Sequence, residues 1–332
     1  MIFPGNKRNE QEAQREFEEL REKRRNRFRI LACVDGSEES FMAVRYAAKI
    51  GWGAECDIIV VFVRPIDQGL RSGGLQMRLA RENMLDWGLE LPGVRYLKQS
   101  VDVLKEEGQS PEDWSTKSAH QDTWGDPLGD NKVEYIHKNG KSVVLKLKTA
   151  PDASSGILDQ YELGPYNLMI MGEPSRWRGE FKSVFDVGVV QKVSTLSPCS
   201  VLIARKSFNK KGFFLCTDGT ERCEQAVRRA AVMARYMKHP VTLFSVAKER
   251  NQRSKAEDNI ERAKLVLKEM GIRVNNSKIG VGDPVEQIVK HGSNHCVIVV
   301  SDSGKSKLER MFAGSVAFSV MRSAKNSVLN VR

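Results

Sequence analysis

The amino-acid sequence contains an internal repeat, and this duplication constrains the fold more than any other feature. Residues 30–63 align without a gap to residues 213–246, at a constant offset of 183 positions. The alignment pairs Asp35 with Asp218, and it also matches the glycine that follows each aspartate and a run of small apolar residues. A chain of 332 residues has room for two domains. We therefore expect two copies of one fold.

The ends of the two units match at a smaller offset, which locates an insertion in the first unit. SPCSVLIAR ends at Arg205 and AKNSVLNVR ends at Arg332, 127 positions later. Because the two offsets differ by 56, the first unit carries about 56 extra residues. Asn139-Gly140 lies between β-rich flanks and predicts a hairpin at the end of this insertion. The predicted organisation is a charged helical arm at 1–27, a first domain at 28–206 with an insertion near 91–141, and a second domain at 207–332.

Each unit alternates short apolar runs with helical patterns. Residues 58–63 and 241–246 are continuously apolar and β-rich, as is typical of parallel strands covered on both faces. The first strand of each unit leads into an Asp-Gly-Ser/Thr turn, and Ser37 and Thr220 are suitable N-cap residues for the helix that follows. The sequence therefore predicts an α/β chain of two tandem, doubly wound, Rossmann-like domains with parallel sheets.

The composition excludes several classes of protein. With 40% hydrophobic and 29% charged residues, the chain is neither disordered nor fibrous. Its six cysteines lack CxxC spacing, so we interpret them as reduced and mostly buried thiols. No apolar run approaches the roughly 18 residues that span a bilayer, and the N-terminal residues lack a signal-peptide pattern. We expect a cytoplasmic protein with no membrane partner.

The positive charge is unevenly distributed. Of the formal net charge of +11, all the excess lies in residues 207–332, which hold 23 Lys and Arg against 12 Asp and Glu. Two interpretations remain: a basic solvated surface, or a face that receives phosphate. Extended nucleic acid is disfavoured because no helix-turn-helix, zinc-finger or RNP motif accompanies the charge. The five histidines show no ligand spacing, so no metal site is predicted.

The end of the second unit has the pattern of an anion site. The apolar residues 297–300 lead into Ser301-Asp302-Ser303-Gly304, and Gly314-Ser315 opens a later helix. Open α/β sheets bind ligands beyond the carboxyl ends of their strands, where helix N-termini offer backbone N–H groups to phosphate. Asp218 ends the first strand of the same unit and should face this crevice.

These motifs together resemble the universal stress protein family. The resemblance rests on a strand ending in V/T-D-G-S/T, a G-x2-G-x9-G-[S/T] element and a closing C-x-V-L-V-x-R-like strand. It covers nearly everything from Phe28 to Arg332 except the insertion. It implies an adenine nucleotide alpha hydrolase-like fold with a five-stranded parallel sheet, which commonly pairs into dimers. Two copies in one chain would form an intrachain pseudo-dimer, and a homodimer is the other expected assembly.

The resemblance also implies a nucleotide site in the second unit, with ATP as ligand, alone or with Mg²⁺. Gly304 and Gly314 would hold the phosphates, whereas Asp218 and Val246 would hold adenosine. Ser301 stands where the family has its first glycine. The full expected set is Thr217, Asp218, Val246, Val300, Ser301, Ser303, Gly304, Gly314, Ser315 and Val316.

The first unit departs from the family's pattern. Ser175 stands where the second glycine belongs, and Glu173 adds a negative charge beside the expected phosphates. Asp35, Val63 and Gly172 remain as a weak second site. We therefore predict that the first domain has lost tight triphosphate binding.

Three functional hypotheses follow. The first is a non-catalytic, ATP-responsive stress protein whose ligand state alters an assembly with an unknown protein partner. The second is a scaffold that binds no nucleotide and acts through dimerisation and the insertion. The third, a slow ATP hydrolase or phosphotransferase, is disfavoured because the sequence offers no positioned general base beyond Asp218. We predict no catalytic residue.

Overall fold

The fold is taken from a computed structural model of the full chain. It describes residues 27–52, 56–65, 92–123, 126–162, 166–174, 187–207, 210–301 and 316–332. The arm predicted at 1–27 lies outside these ranges except for Arg27, and it stays a prediction.

Strands and helices alternate through most of the described chain. The strands are β1 (Phe28–Cys33), β2 (Cys56–Pro65), β3 (Ser115–Thr123), β4 (Asp126–Ile136), β5 (Ser142–Ala150), β6 (Leu168–Gly172), β7 (Ser200–Ala204), β8 (Phe213–Cys216), β9 (Val241–Ala247), β10 (Val274–Val281), β11 (Val297–Ser301) and β12 (Ser327–Val331). The helices are α1 (Glu38–Gly51), α2 (Pro92–Glu106), α3 (Ala153–Glu162), α4 (Val187–Leu196), α5 (Glu221–Tyr236), α6 (Arg253–Glu269), α7 (Pro284–Gly292) and α8 (Val316–Ser323). Short 3-10 turns lie at Pro111–Asp113 and Arg250–Gln252.

The strands form one twelve-stranded sheet in the order β10-β9-β8-β11-β12-β7-β6-β1-β2-β5-β4-β3. Each half contributes five parallel strands with the same internal order, in which the first strand lies between the second and the fourth. The two halves meet where β7 and β12, the closing strands of the repeats, pair antiparallel. The predicted fold of two tandem, doubly wound parallel sheets is confirmed.

Part of the segment predicted as an insertion is a helix common to both halves. Residues 92–106 form α2, which occupies the same place in the order of elements as α6 in the second half. Its inward residues Leu97, Val101 and Leu104 are buried at helical spacing, although polar residues between them make the segment resemble a loop. Beyond α2, the sheet is extended by β4, which pairs antiparallel with β5, and by β3, which pairs antiparallel with β4. The predicted hairpin turn at Asn139-Gly140 is present between β4 and β5, with Gly140 at a φ of 83°.

Apolar side chains cover both faces of the sheet. In β1, Ile30 and Ala32 belong to one core, whereas Leu31 and Cys33 belong to the other. The prediction of mostly buried thiols is confirmed, because five of the six cysteines are buried. Burial raises the pKa of the Cys56 thiol to about 12.

Two arginines that close the repeats join the halves reciprocally. Arg205 follows β7 and donates to the carbonyl oxygen of Met321 at 2.6 Å, in the last turn of α8. Arg332 follows β12 and donates to the carbonyl oxygen of Ser194 at 2.6 Å, in the last turn of α4. Each cation therefore caps the C-terminus of a helix in the other half, where helix carbonyls favour positive charge. Arg205 also forms a buried ion pair with Glu173, with Nε and Oε1 2.7 Å apart.

The hydroxyl of Tyr46 lies in a buried polar cluster between the halves. The hydroxyl of Ser327 donates to it at 2.7 Å, and the hydroxyl of Ser207 lies 3.2 Å away.

Tyr46→Phe is expected to lower the free energy of unfolding by about 1–3 kcal/mol, because buried hydroxyls lose a partner. Urea unfolding measures the change. Tyr236→Phe, at a half-buried position of α5, is the control and should stay within about 0.5 kcal/mol of wild type. Equal losses of stability in the two variants would contradict the conclusion that the buried hydroxyl of Tyr46 stabilises the contact between the halves.

Candidate functional site

A pocket of about 620 Å³ opens at the carboxyl end of the sheet in the second half. The ends of β8, β9 and β11 contribute to it, together with the first turns of α5, α7 and α8. This is where open α/β sheets bind ligands, and three helix N-termini present partial positive charge to the same space. The pocket contains all six predicted site residues that the structure describes: Thr217, Asp218, Val246, Val300, Ser301 and Val316.

The remaining predicted residues, Ser303, Gly304, Gly314 and Ser315, lie outside the described residues. The described chain reaches the pocket on both sides of this segment, at Ser301 and Val316. The phosphate contacts inferred for the segment therefore remain a prediction.

Asp218 shapes the turn after β8. Its Oδ1 accepts hydrogen bonds from the backbone N–H of Thr220 at 2.9 Å and from the Thr220 hydroxyl at 2.6 Å. Burial acts to raise the pKa of Asp218, but hydrogen bonds from Cys223 and Thr220 outweigh burial and lower the pKa below its ordinary value. The carboxylate is therefore ionised at neutral pH. It can accept hydrogen bonds from a ligand, whereas its low pKa makes it a weak general base.

One wall of the pocket is apolar. Val246 is half-buried and faces the pocket, while the neighbouring Phe244 and Ile288 are buried in the core beneath it. The ring of Phe244 stacks on Phe214, with centroids 4.7 Å apart, and this contact fixes the wall. Such a surface suits the flat face of an aromatic ligand.

The sequence interpretation missed several pocket residues. Cys223 Sγ lies 2.8 Å from Ser301 Oγ, so the thiol links the first turn of α5 to the end of β11. Its repeat equivalent is Ser40, and nothing in the sequence marks either residue. Two exposed cations, Arg222 and Lys248, also line the pocket. The excess of positive charge in the second unit was the one sequence feature that pointed to these two cations.

The equivalent position in the first half is covered. Asp35 and Val63 are only 6% and 3% exposed, whereas their partners Asp218 and Val246 are exposed and half-buried. Helix α3 packs against β2 so closely that a Cβ on Gly156 would lie 2.5 Å from Val63 Cγ1. Gly172 ends β6 directly against the backbone of Glu39. The three residues of the predicted weak site thus lie at strand ends in this half, but they are buried.

Glu173, which the sequence placed beside the expected phosphates, forms an ion pair within its own half. Its carboxylate faces Arg205, which follows the neighbouring strand β7. Within the described ranges, no group of three His, Cys, Asp or Glu residues could hold a metal. None of the helices in these ranges is both long and apolar enough to cross a bilayer.

Comparison with known proteins agrees with this geometry. Residues 213–332 match the family model of the universal stress protein family. A universal stress protein from Archaeoglobus fulgidus DSM 4304 has a TM-score of 0.57 and 16% identity, covering 92% of this chain and 96% of its own. A putative universal stress protein from Pseudomonas aeruginosa UCBPP-PA14 has a TM-score of 0.57 and 14% identity, covering 92% and 94%. Comparison with curated protein sequences gave no match. Residues 213–332 therefore match the universal stress protein family, and the chain as a whole has the fold of two-domain universal stress proteins, with the N-terminal half carrying that fold a second time.

Proposed function

We propose that the second domain binds an adenine nucleotide, with ATP as the first candidate, and that the protein is a non-catalytic, ATP-responsive stress protein. The observation that carries the proposal is the asymmetry between equivalent strand ends. They line an open pocket of about 620 Å³ in the second half and are buried in the first. This volume lies within the range of roughly 300–1,000 Å³ that is usual for small-molecule sites.

The chemistry of the pocket wall suits the parts of a nucleotide. The apolar side at Val246 would receive the base, and the Asp218 carboxylate would accept hydrogen bonds from the ribose. The phosphates would lie toward the N-terminus of α8 and the segment that contains Gly304 and Gly314. Two carboxylates, Asp218 and Glu221, line the pocket. That number suffices for Mg²⁺, which proteins commonly hold through one or two carboxylates plus the substrate phosphates.

The scaffold hypothesis makes a different prediction for the purified protein. A scaffold that acts through dimerisation and the insertion would carry no nucleotide, so native mass spectrometry of the freshly purified chain distinguishes the scaffold from the proposed nucleotide-binding protein.

The hydrolase hypothesis is weakened by the low pKa of Asp218, because a general base needs a pKa near the working pH.

The repeat supplies a matched pair of substitutions that tests the proposal. Asp35 Oδ1 accepts from the Ser37 N–H at 3.0 Å and from its hydroxyl at 2.5 Å, as Asp218 does from Thr220. Asp218→Asn is expected to weaken ATP binding about tenfold, because a charged hydrogen-bond acceptor is lost. Asp35→Asn alters the same kind of turn and should leave ATP affinity unchanged. Isothermal titration calorimetry measures both. Equal losses in the two variants, or none in Asp218→Asn, would refute the assigned site.

A further inference from the structure

A pair of exposed cations, Arg222 and Lys248, lines the pocket of the second domain. In the part of the chain that the structure describes, neither side chain takes part in an ion pair or a hydrogen bond. The carboxylate of Asp218, by contrast, already accepts two hydrogen bonds within its own turn. The two positive charges are therefore available to a ligand that enters the pocket.

Arg222 lies in the first turn of α5, where a positive charge is unfavourable for the helix. Backbone N–H groups at a helix N-terminus carry partial positive charge, so they favour acidic side chains and disfavour cations. The same turn otherwise follows this rule, with Glu221 and Glu224. The first half follows it as well, because the repeat pairs Arg222 with Glu39 in the first turn of α1. Helix stability therefore does not account for an arginine at this position.

Arg222 and Lys248 lie at different ends of the pocket. The residue that follows Arg222 is Cys223, whose Sγ lies 2.8 Å from Ser301 Oγ, so the first turn of α5 meets the end of β11. Lys248 instead follows β9, two residues after Val246, where the base is proposed to lie. Strand β8 separates β9 from β11, so the two strand ends are about 10 Å apart at the usual spacing of strands. Arg222 is thus on the side of the proposed phosphates, and Lys248 is on the side of the base.

The exposure of Arg222 also matters, because it puts the guanidinium at the opening of the pocket, whereas the neighbouring Cys223 is buried. A nucleotide with its ribose at Asp218 has its first phosphate next to the ribose, and its further phosphates extend away from it. An arginine binds such phosphate oxygens through two parallel N–H groups. Arg222 can therefore reach the phosphates that ATP has and AMP lacks.

We propose that Arg222 gives the pocket a preference for nucleotides with two or three phosphates over the monophosphate. This inference rests on the proposed adenine-nucleotide site and adds to it the residue that recognises the length of the phosphate chain. The reversal of charge between Arg222 and Glu39 agrees with the loss of triphosphate binding that the sequence predicts for the first half.

Calorimetric titration of the full chain with ATP and with AMP tests the inference. Arg222→Gln is expected to weaken ATP binding about tenfold, because a charged hydrogen bond is lost, and to weaken AMP binding much less. Arg222→Glu should weaken ATP binding further, because like charges then face each other. Arg222→Lys keeps the charge and should retain most of the preference for ATP. The thermal unfolding midpoint of Arg222→Gln should be no lower than that of wild type, because the substitution removes a cation from a helix N-terminus.

Lys248→Gln is the matched control, because it removes the other exposed cation of the same pocket. It should leave the ratio of the ATP and AMP affinities as it is in wild type. A fall in this ratio as large as that in Arg222→Gln would overturn the inference.

Three further results would overturn the inference while leaving nucleotide binding established. They are equal affinities of the wild-type chain for ATP and AMP, equal losses of both affinities in Arg222→Gln, and no loss of either in that variant. If the wild-type chain bound neither nucleotide, the proposed nucleotide site would fail, and the role of Arg222 would fail with it.

Discussion

Replacing Arg205 with methionine is expected to lower the free energy of unfolding by about 3–5 kcal/mol, the range found when one member of a buried ion pair is removed. The substitution leaves the carboxylate of Glu173, which is only 12% exposed, without its cation. It also removes donors from the carbonyl oxygen of Met321, in the last turn of α8, and from that of Asn326, just before β12. The ion pair lies within the first half and the carbonyl acceptors lie in the second, so the substitution weakens both the first half and its junction with the second, and equilibrium unfolding in urea should show the full effect.

Two further variants make this prediction specific. Arg228→Met removes an ion pair with Glu269 in which both side chains are largely exposed, so it should cost less than about 1 kcal/mol. Adding Glu173→Gln to Arg205→Met removes the uncompensated charge and should restore part of the lost stability. If Arg205→Met were as mild as Arg228→Met, Arg205 would not be a principal contact of the junction.

Replacing Val246 with aspartate is expected to weaken ATP binding about 100-fold or more, because a carboxylate must be desolvated against the base. Val246 is half-buried at the pocket wall, so the folded protein can solvate the new charge when no ligand is bound. Calorimetric titration with ATP measures the effect, and circular dichroism establishes that the variant folds.

The matched control for Val246 is Val246→Thr, which keeps the shape of the side chain and adds only a neutral hydroxyl. It should weaken ATP binding by no more than about tenfold. Similar losses in the two variants would mean that the substitution disturbs the pocket generally, and unchanged affinity in Val246→Asp would place the base elsewhere.

Much of the fold follows from the sequence because the repeat and the apolar strands are local signals. The alignment of Asp35 with Asp218 leads directly to two equivalent strand ends, and the structure has them at β1 and β8. Helix α2 escaped recognition because its buried positions, Leu97, Val101 and Leu104, are separated by polar residues within a longer polar stretch.

Features that depend on contacts between distant segments could not be derived this way. Burial of Val63 results from the close packing of Gly156 on α3, and neither residue signals the other in the sequence. The matching arginines at the ends of the repeats were visible, but their acceptors are carbonyl groups of the opposite half.

The antiparallel pairing of β7 with β12 holds the two halves of one chain together as a fixed one-to-one pair. Each closing strand pairs with the edge strand of the other half's five-stranded sheet. Because both halves belong to one chain, their pairing does not depend on protein concentration, and dilution cannot separate them. In a homodimer of single-domain chains, by contrast, the subunits would exchange, and each dimer would offer two identical pockets to the ligand. Among the described residues, the equivalent strand ends line an open pocket in the second half and are buried in the first. Titration with ATP should therefore reach saturation at one equivalent per chain with a simple hyperbolic curve.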